Sequence, residues 1–143
     1  MTDKISLAAA NTMIATALEK GAELELKPLS VIVLDAGGHV IAFQRQDGAS
    51  NLRFKIAHGK AYGAISMGIG SRALFQRAQE QAFFVSAVNA LADGALVPVP
   101  GGVLVKTQDG ALVGAVGITG DTSENDEACA IVAIEQLGFV AVP

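Results

Sequence analysis

Charged residues are scarce in this sequence of 143 amino acids. Asp, Glu, Lys and Arg make up 17% of it, whereas hydrophobic residues make up 51%. A typical soluble domain carries about 25% charged residues. The chain therefore has too little charge to cover the surface of a monomer well. We expect a homo-oligomer, a dimer or larger, with contacts rich in Ala, Gly and Val.

Long apolar runs, basic stretches and disulfides are also missing. Gly or polar residues interrupt every apolar run before the roughly 18 residues of a membrane-spanning helix. The net charge is −4, and no Lys/Arg stripe with interleaved aromatic residues argues for a nucleic-acid partner. The N-terminus lacks the layout of a secretory signal. Because a single cysteine, Cys129, cannot form an internal disulfide, we expect a cytoplasmic protein. The small apolar neighbours of Cys129 predict a packed core thiol, and the interrupted apolar runs predict no membrane contact.

Histidine is too rare to suggest a metal site. His39 and His58 are the only two, and neither has a second histidine three or four residues away. The acids between positions 121 and 127 lack the spacing of a calcium-binding loop. We therefore predict no metal. Since the sequence starts with Met-Thr, we expect no catalytic N-terminal proline either.

Two pairs of strands can be predicted from the apolar runs. Residues 30–35 and 39–45 flank an Asp-Ala-Gly-Gly turn, and residues 102–107 and 111–119 flank a Gln-Asp-Gly turn. Such turns between apolar runs are typical of antiparallel hairpins.

Predicted helices surround these hairpins. Helical spacing of apolar residues favours helices over 4–20, about 51–67, 72–78 and 79–92, and a last helix from near Ser123. Gly21 is expected to end the first helix, and the other caps are predicted at Ser50 or Asn51, at Ser71 and at Ser123. The order predicts a single α+β domain over 1–143. It is a layered sandwich, with an antiparallel sheet of four to five strands built from two hairpins and covered by helices.

Four ordered motifs carry a family resemblance. They are VIVLDAGGHVIAFQRQDGA at 31–49, HGKA at 58–61, PVPGGVLV at 98–105 and VGAVGITGDTSENDEACA at 113–130. With these motifs the chain resembles the GlcG/HbpS family, which includes the PduO C-terminal-like domain. The resemblance implies a profilin-like sandwich that assembles into oligomers. It also implies a link to haem binding and haem-dependent redox sensing, and some relatives are described as tautomerases of small unsaturated acids.

The segment from position 45 to position 72 concentrates the candidate functional residues. If its cations converge, they form a pocket for a carboxylate, whose shape matches the fork of an arginine. A neutral imidazole or an ionised carboxylate there could move a proton. We expect a cofactor-free isomerase or tautomerase of a small unsaturated oxo- or hydroxy-carboxylic acid. The predicted catalytic residues are Lys60, His58 and Asp47, and the predicted substrate-binding residues are Arg45, Arg53, Arg72 and Tyr62.

Structural roles compete with these assignments. Arg45 and Asp47 could form an ion pair within the turn, and Arg72 could pair with Glu80 or another acid. His58 could be a structural histidine, and Lys60 could extend out of a packed interface.

Two other functions remain open. In the first, the chain binds haem as a carrier or sensor. The available axial groups are His39, His58, Tyr62 and the methionines. Phe83 and Phe84 could line a haem slot, although core positions suit them better. In the second, the chain is an oligomeric scaffold that binds another protein.

Overall fold

The fold consists of five strands and five helices in a computed structural model that describes residues 4–143. The strands are β1 (Ser30–Asp35), β2 (Val40–Arg45), β3 (Gly102–Lys106), β4 (Leu112–Thr119) and β5 (Val140–Val142). The helices are α1 (Leu7–Glu23), α2 (Arg53–Met67), α3 (Ser71–Glu80), α4 (Ala82–Leu91) and α5 (Ser123–Glu135).

One antiparallel sheet organises these elements, in the order β2-β1-β4-β3-β5. The two predicted hairpins are β1–β2 and β3–β4, and pairing of β1 with β4 joins them. The C-terminal strand β5 adds the fifth strand beside β3. The predicted α+β layered fold is therefore confirmed.

Helices cover both faces of the sheet because its central strands are apolar on both sides. Val31 and Val33 face α1 and α5 in the larger core, which also contains the buried Cys129. Ile32 and Leu34 point to the opposite face, where α2 covers them. Between residues 4 and 143, no helix has the length and hydropathy needed to cross a bilayer.

Helix α2 lies unusually close to the sheet because glycines replace side chains at the contact. A Cβ atom added to Gly117 would lie 2.2 Å from the carbonyl oxygen of Ala57. One added to Gly102 would lie 2.2 Å from the carbonyl oxygen of Lys60. Both helix residues are buried. The glycines of β3 and β4 thus set the height of α2 above the sheet.

The α3–α4 hairpin is packed less completely. Its core is small and contains the buried residues Leu74, Val85 and Leu96. Phe83 is 80% exposed and Leu91 is 84% exposed. The expectation that Phe83 belongs to the core is wrong, because this residue lies on the solvent-exposed side of α4. Phe84 is partly buried against the small core and stacks under the guanidinium of Arg77.

Several predicted helix ends are wrong, and each has a local reason. Gly21 lies inside α1, where the missing side chain leaves room for Leu29. The cap of α3 is Gly70, because the hydroxyl of Ser71 instead accepts a hydrogen bond from the Gly102 amide at 2.7 Å. The cap of α5 is Thr122, one residue before the predicted Ser123.

The start of α2 also differs from the prediction. Its N-cap residue is Leu52, which provides no side-chain hydrogen bond, so neither Ser50 nor Asn51 caps the helix. The Ser50 hydroxyl accepts a hydrogen bond from Arg53 Nε at 3.0 Å. Gly68, in the left-handed conformation, follows the last residue of α2, which agrees with the predicted end at about position 67.

Candidate functional site

A row of aromatic rings runs along the flank of α2 that faces the edge strand β2. Phe54, His58 and Tyr62 follow at intervals of four residues and therefore share one side of the helix. The His58 ring stacks on Tyr62 with centroids 5.2 Å apart and on Phe54 with centroids 6.1 Å apart. Phe43 of β2 meets Phe54 edge to face at 4.8 Å. We call these four residues the aromatic row.

His58 is the polar member of the aromatic row. Its ring is partly exposed, and it makes no hydrogen bond within the described part of the chain. Burial lowers the pKa of His58 below its usual 6.5. The imidazole is therefore neutral at pH 7, and a neutral imidazole carries a lone pair that a metal can use.

Lys60 points the other way, into the space between α2, β4 and α5. Its side chain is 3% exposed, and Nζ donates to the Ile118 carbonyl at 2.9 Å and to Asp126 Oδ2 at 3.3 Å. The other oxygen of Asp126 accepts from the Asp121 amide at 3.0 Å. Burial lowers the pKa of Lys60 and raises the pKa of Asp126, while their mutual attraction opposes both shifts. The pair connects α2 to α5 inside the molecule.

Arg72 makes a second connection to α5. Its Nε donates to both carboxylate oxygens of Glu127, at 2.9 and 3.1 Å. The alternative of an ion pair between Arg72 and an acid elsewhere thus holds, although the partner is Glu127 and not Glu80. Both bridges to α5 involve acids that follow each other in the sequence.

Arg53 is held over the end of the sheet by neutral groups. Its Nη1 donates to Thr119 Oγ1 at 2.8 Å, and its Nε donates to the Ser50 hydroxyl. Beside Thr119 lies Ser30, which is fully buried and whose hydroxyl has no hydrogen-bond partner within residues 4–143.

Arg45 is the last residue of β2, directly opposite Ser30 of β1, and Asp47 follows two residues later. Arg45 and Asp47 both line an open cavity of about 540 Å³ beside the C-terminal end of α1. They form no salt bridge with each other in the part of the chain that the structure describes, which disagrees with a turn ion pair.

The predicted site residues are therefore divided among several places. His58 and Tyr62 lie together in the aromatic row. Lys60 is buried against α5, Arg72 is bound to Glu127, and Arg45 and Asp47 line the cavity beside α1. Within residues 4–143, no group of three or more His, Cys, Asp or Glu side chains could hold a metal ion.

Sequence reasoning missed the two acids that bind Lys60 and Arg72. In the sequence, Asp126 and Glu127 stand out only as acids that lack the spacing of a calcium-binding loop. A signal was present, because Asp126, Cys129, Ala130 and Ala133 share one helix face and the last three are small and apolar. An acid on an inward face needs a buried cation as partner.

The comparisons with known proteins identify the class of this α+β fold. The sequence profile described as "Haem degrading protein HbpS-like" matches residues 5–135. An uncharacterised 15.0 kDa protein from the dhaT-dhaS intergenic region of Citrobacter freundii is 30% identical over 131 residues, which cover 92% of this chain and 90% of that protein. The chain therefore belongs to the HbpS-like family.

Solved structures agree with this assignment. The structure of a PduOC:haem complex has a TM-score of 0.85 at 26% identity, covering 95% of this chain and 96% of that chain. A double mutant of HbpS from Streptomyces reticuli has a TM-score of 0.80 at 25% identity, covering 96% and 90%.

These findings correct the predicted activity. The family description and the PduOC:haem complex point to haem and not to tautomerisation of a small acid. The prediction of a cofactor-free tautomerase is therefore wrong, and the expectation of no cofactor receives no support. The alternative prediction of haem binding agrees with the relatives better.

Proposed function

We propose that this protein binds haem at the aromatic row and that His58 is the axial ligand. The observation that carries the proposal is the state of His58, a partly buried and neutral imidazole without a hydrogen bond, set between two rings. The PduOC relative, with a haem complex, supports the choice of ligand.

The residues of the aromatic row suit a porphyrin. Haem sites need an axial ligand and an apolar surface for the macrocycle. Phe43 and Phe54 provide apolar rings beside His58, and both remain at least partly exposed. When bound, haem supplies a redox-active iron whose potential depends on its axial ligand. The chain contributes two things. Burial lowers the pKa of His58 and so keeps the imidazole neutral, and the stacked rings of Phe54 and Tyr62 fix the orientation of the imidazole.

His39 is the matched alternative ligand. It lies in the β1–β2 turn, where its side chain is 82% exposed and Nδ1 lies 3.3 Å from Asp35 Oδ1. Because the His39 side chain is so exposed, it has no apolar surface beside it on which a macrocycle could pack. His39 therefore serves as a control for nonspecific imidazole binding.

Titration of the purified protein with haemin tests the proposal. We expect a saturable Soret shift at one haem per chain, and the same curve for His39→Ala. A change that never saturates, or a saturable curve that His39→Ala abolishes, contradicts the proposed site.

We also propose that the chain self-associates and works in the cytoplasm. The support for self-association is the low charge content together with the exposed Phe83 and Leu91 of α4. The support for a reducing compartment is the single buried thiol, Cys129.

A further inference from the structure

A buried hydroxyl without a partner marks the end of the sheet beneath the first turn of α2. Ser30 is 0% exposed, and its Oγ makes no hydrogen bond within the described residues. Buried polar side chains are nearly always hydrogen-bonded, so each exception needs an explanation. One explanation is that a bound group completes the site.

Ser30 belongs to a cross-strand row of polar residues. It lies directly opposite Arg45 of β2 and directly opposite Thr119 of β4. Opposed residues of an antiparallel pair extend to the same side of the sheet. For Ser30 that side is the one shared with Ile32, which α2 covers. Three polar side chains therefore follow one another from the open edge of the sheet inwards.

The guanidiniums of Arg45, in this row, and of Arg53, beside it, have no carboxylate partner within residues 4–143. Within the described residues, the guanidinium of Arg53 donates hydrogen bonds only to the hydroxyls of Thr119 and Ser50. None of the salt bridges between residues 4 and 143 includes Arg53 or Arg45. Arginine pairs favourably with carboxylates. The guanidiniums of Arg45 and Arg53 and the hydroxyl of Ser30 therefore offer hydrogen-bond donors and positive charge to an anion.

The start of α2 adds to the positive potential. The helix has 15 residues, no side-chain cap and no acid in its first turn. The free amides and the dipole of such an N-terminus favour a negative charge.

We infer that Ser30, Arg53 and Arg45 bind a carboxylate, and that this carboxylate is a propionate of the porphyrin. The inference rests on the proposed haem function. Arg53 precedes His58 by five residues, which places it about 7.5 Å away along the helix axis. We infer that one ligand spans both groups, because Phe54, the residue after Arg53, stacks on His58 in the aromatic row. Ser30 supplies the hydroxyl donor, and Arg53 supplies the charge.

The test compares haemin with haemin dimethyl ester, in which both propionates are esterified. For the wild-type protein we expect at least about tenfold weaker binding of the ester, because hydrogen bonds to charged groups are among the strongest in proteins. The readout is the dissociation constant from Soret titration.

Three variants locate the effect. Ser30→Ala removes an unpaired hydroxyl, so the apoprotein should be as stable as wild type, yet haemin binding should weaken while ester binding stays unchanged. Arg45→Gln should also leave the stability of the apoprotein unchanged, because Arg45 is exposed and makes no salt bridge in the described part of the chain. It should likewise weaken the binding of haemin and not that of the ester. Lys55→Gln, an exposed cation in the same turn of α2, is the control for general charge attraction.

The outcomes separate this inference from the haem proposal. Equal affinity of wild type for haemin and its ester overturns the carboxylate site and leaves haem binding intact. An equal loss in Lys55→Gln and Arg45→Gln overturns it as well, since attraction would then be unspecific. Absence of saturable binding by either compound overturns both proposals.

Discussion

His58 is the residue on which the proposed haem site depends, and its protonation determines when the site can work. Burial lowers the pKa of His58 from 6.5, so the imidazole gains a proton only at a pH below that value. A protonated imidazole has no lone pair for iron. We therefore expect haemin affinity to be constant from pH 8 to about pH 6.5 and to fall at lower pH.

The control for this pH profile is His39→Ala, which should reproduce the wild-type curve. In His58→Ala the weak residual affinity should no longer change over this pH range. A fall in affinity that begins well above pH 6.5 contradicts the role of His58, because its pKa is shifted downwards.

Asp126 is the residue whose change should cost the most stability among the acids of α5. Asp126→Asn keeps an acceptor for the Asp121 amide but leaves Lys60 buried without a counter-charge. We expect the free energy of unfolding at pH 7 to fall by about 3 kcal/mol, measured by urea denaturation. Glu124→Gln, an exposed acid in the same turn, should stay within about 0.5 kcal/mol of wild type.

The pH dependence of the same variant has a defined sign. Without Asp126 the folded-state pKa of Lys60 lies still further below 10.5, so the unfolded chain binds more protons than the folded one. Stability must then rise with pH up to about 10.5. The deficit of Asp126→Asn should shrink between pH 7 and pH 10, and a constant deficit contradicts a charge effect.

At the scale of elements, the contact between α2 and the sheet determines where the aromatic row stands. Gly117→Ala would place a Cβ 2.2 Å from the Ala57 carbonyl oxygen, which belongs to helix backbone and cannot rotate away. We expect about 2 to 3 kcal/mol of destabilisation in urea denaturation, typical of overpacking.

Gly37→Ala is the matched control for this substitution. The added Cβ would also meet an atom at 2.9 Å, but that atom belongs to the exposed and movable side chain of His39. A loss of less than about 1 kcal/mol is expected here. Equal losses for the two variants would show that α2 can shift on the sheet at little cost.

The elements themselves could be predicted from the sequence to a large extent. Continuous apolar runs and Gly-containing turns indicated β1–β2 and β3–β4 because these signals are local. The ion pair of Lys60 with Asp126 could not be predicted, since the two residues are 66 positions apart and meet only when α2 and α5 approach the same strand. That the Ser30 hydroxyl lacks a hydrogen-bond partner within the described residues could not be predicted either, because it depends on the cross-strand neighbours of Ser30.

At the scale of the whole molecule, the low charge content predicts self-association. Helix α4 contains no charged residue, and its exposed Phe83 and Leu91 lie two turns apart on one face. We expect light scattering at micromolar concentration to give a mass above one chain, and Phe83→Ser with Leu91→Ser to lower that mass. Leu7→Ser, at another exposed apolar position, should not. A monomeric wild-type protein contradicts the prediction.

The measurement that tests the account most directly is imidazole rescue of His58→Ala in the presence of one equivalent of haemin. We expect this variant to lose the Soret shift of the wild type and millimolar imidazole to restore it, because the free base replaces the missing side chain. His39→Ala should need no rescue. A wild-type Soret spectrum in His58→Ala without imidazole would contradict the central claim that His58 is the axial ligand.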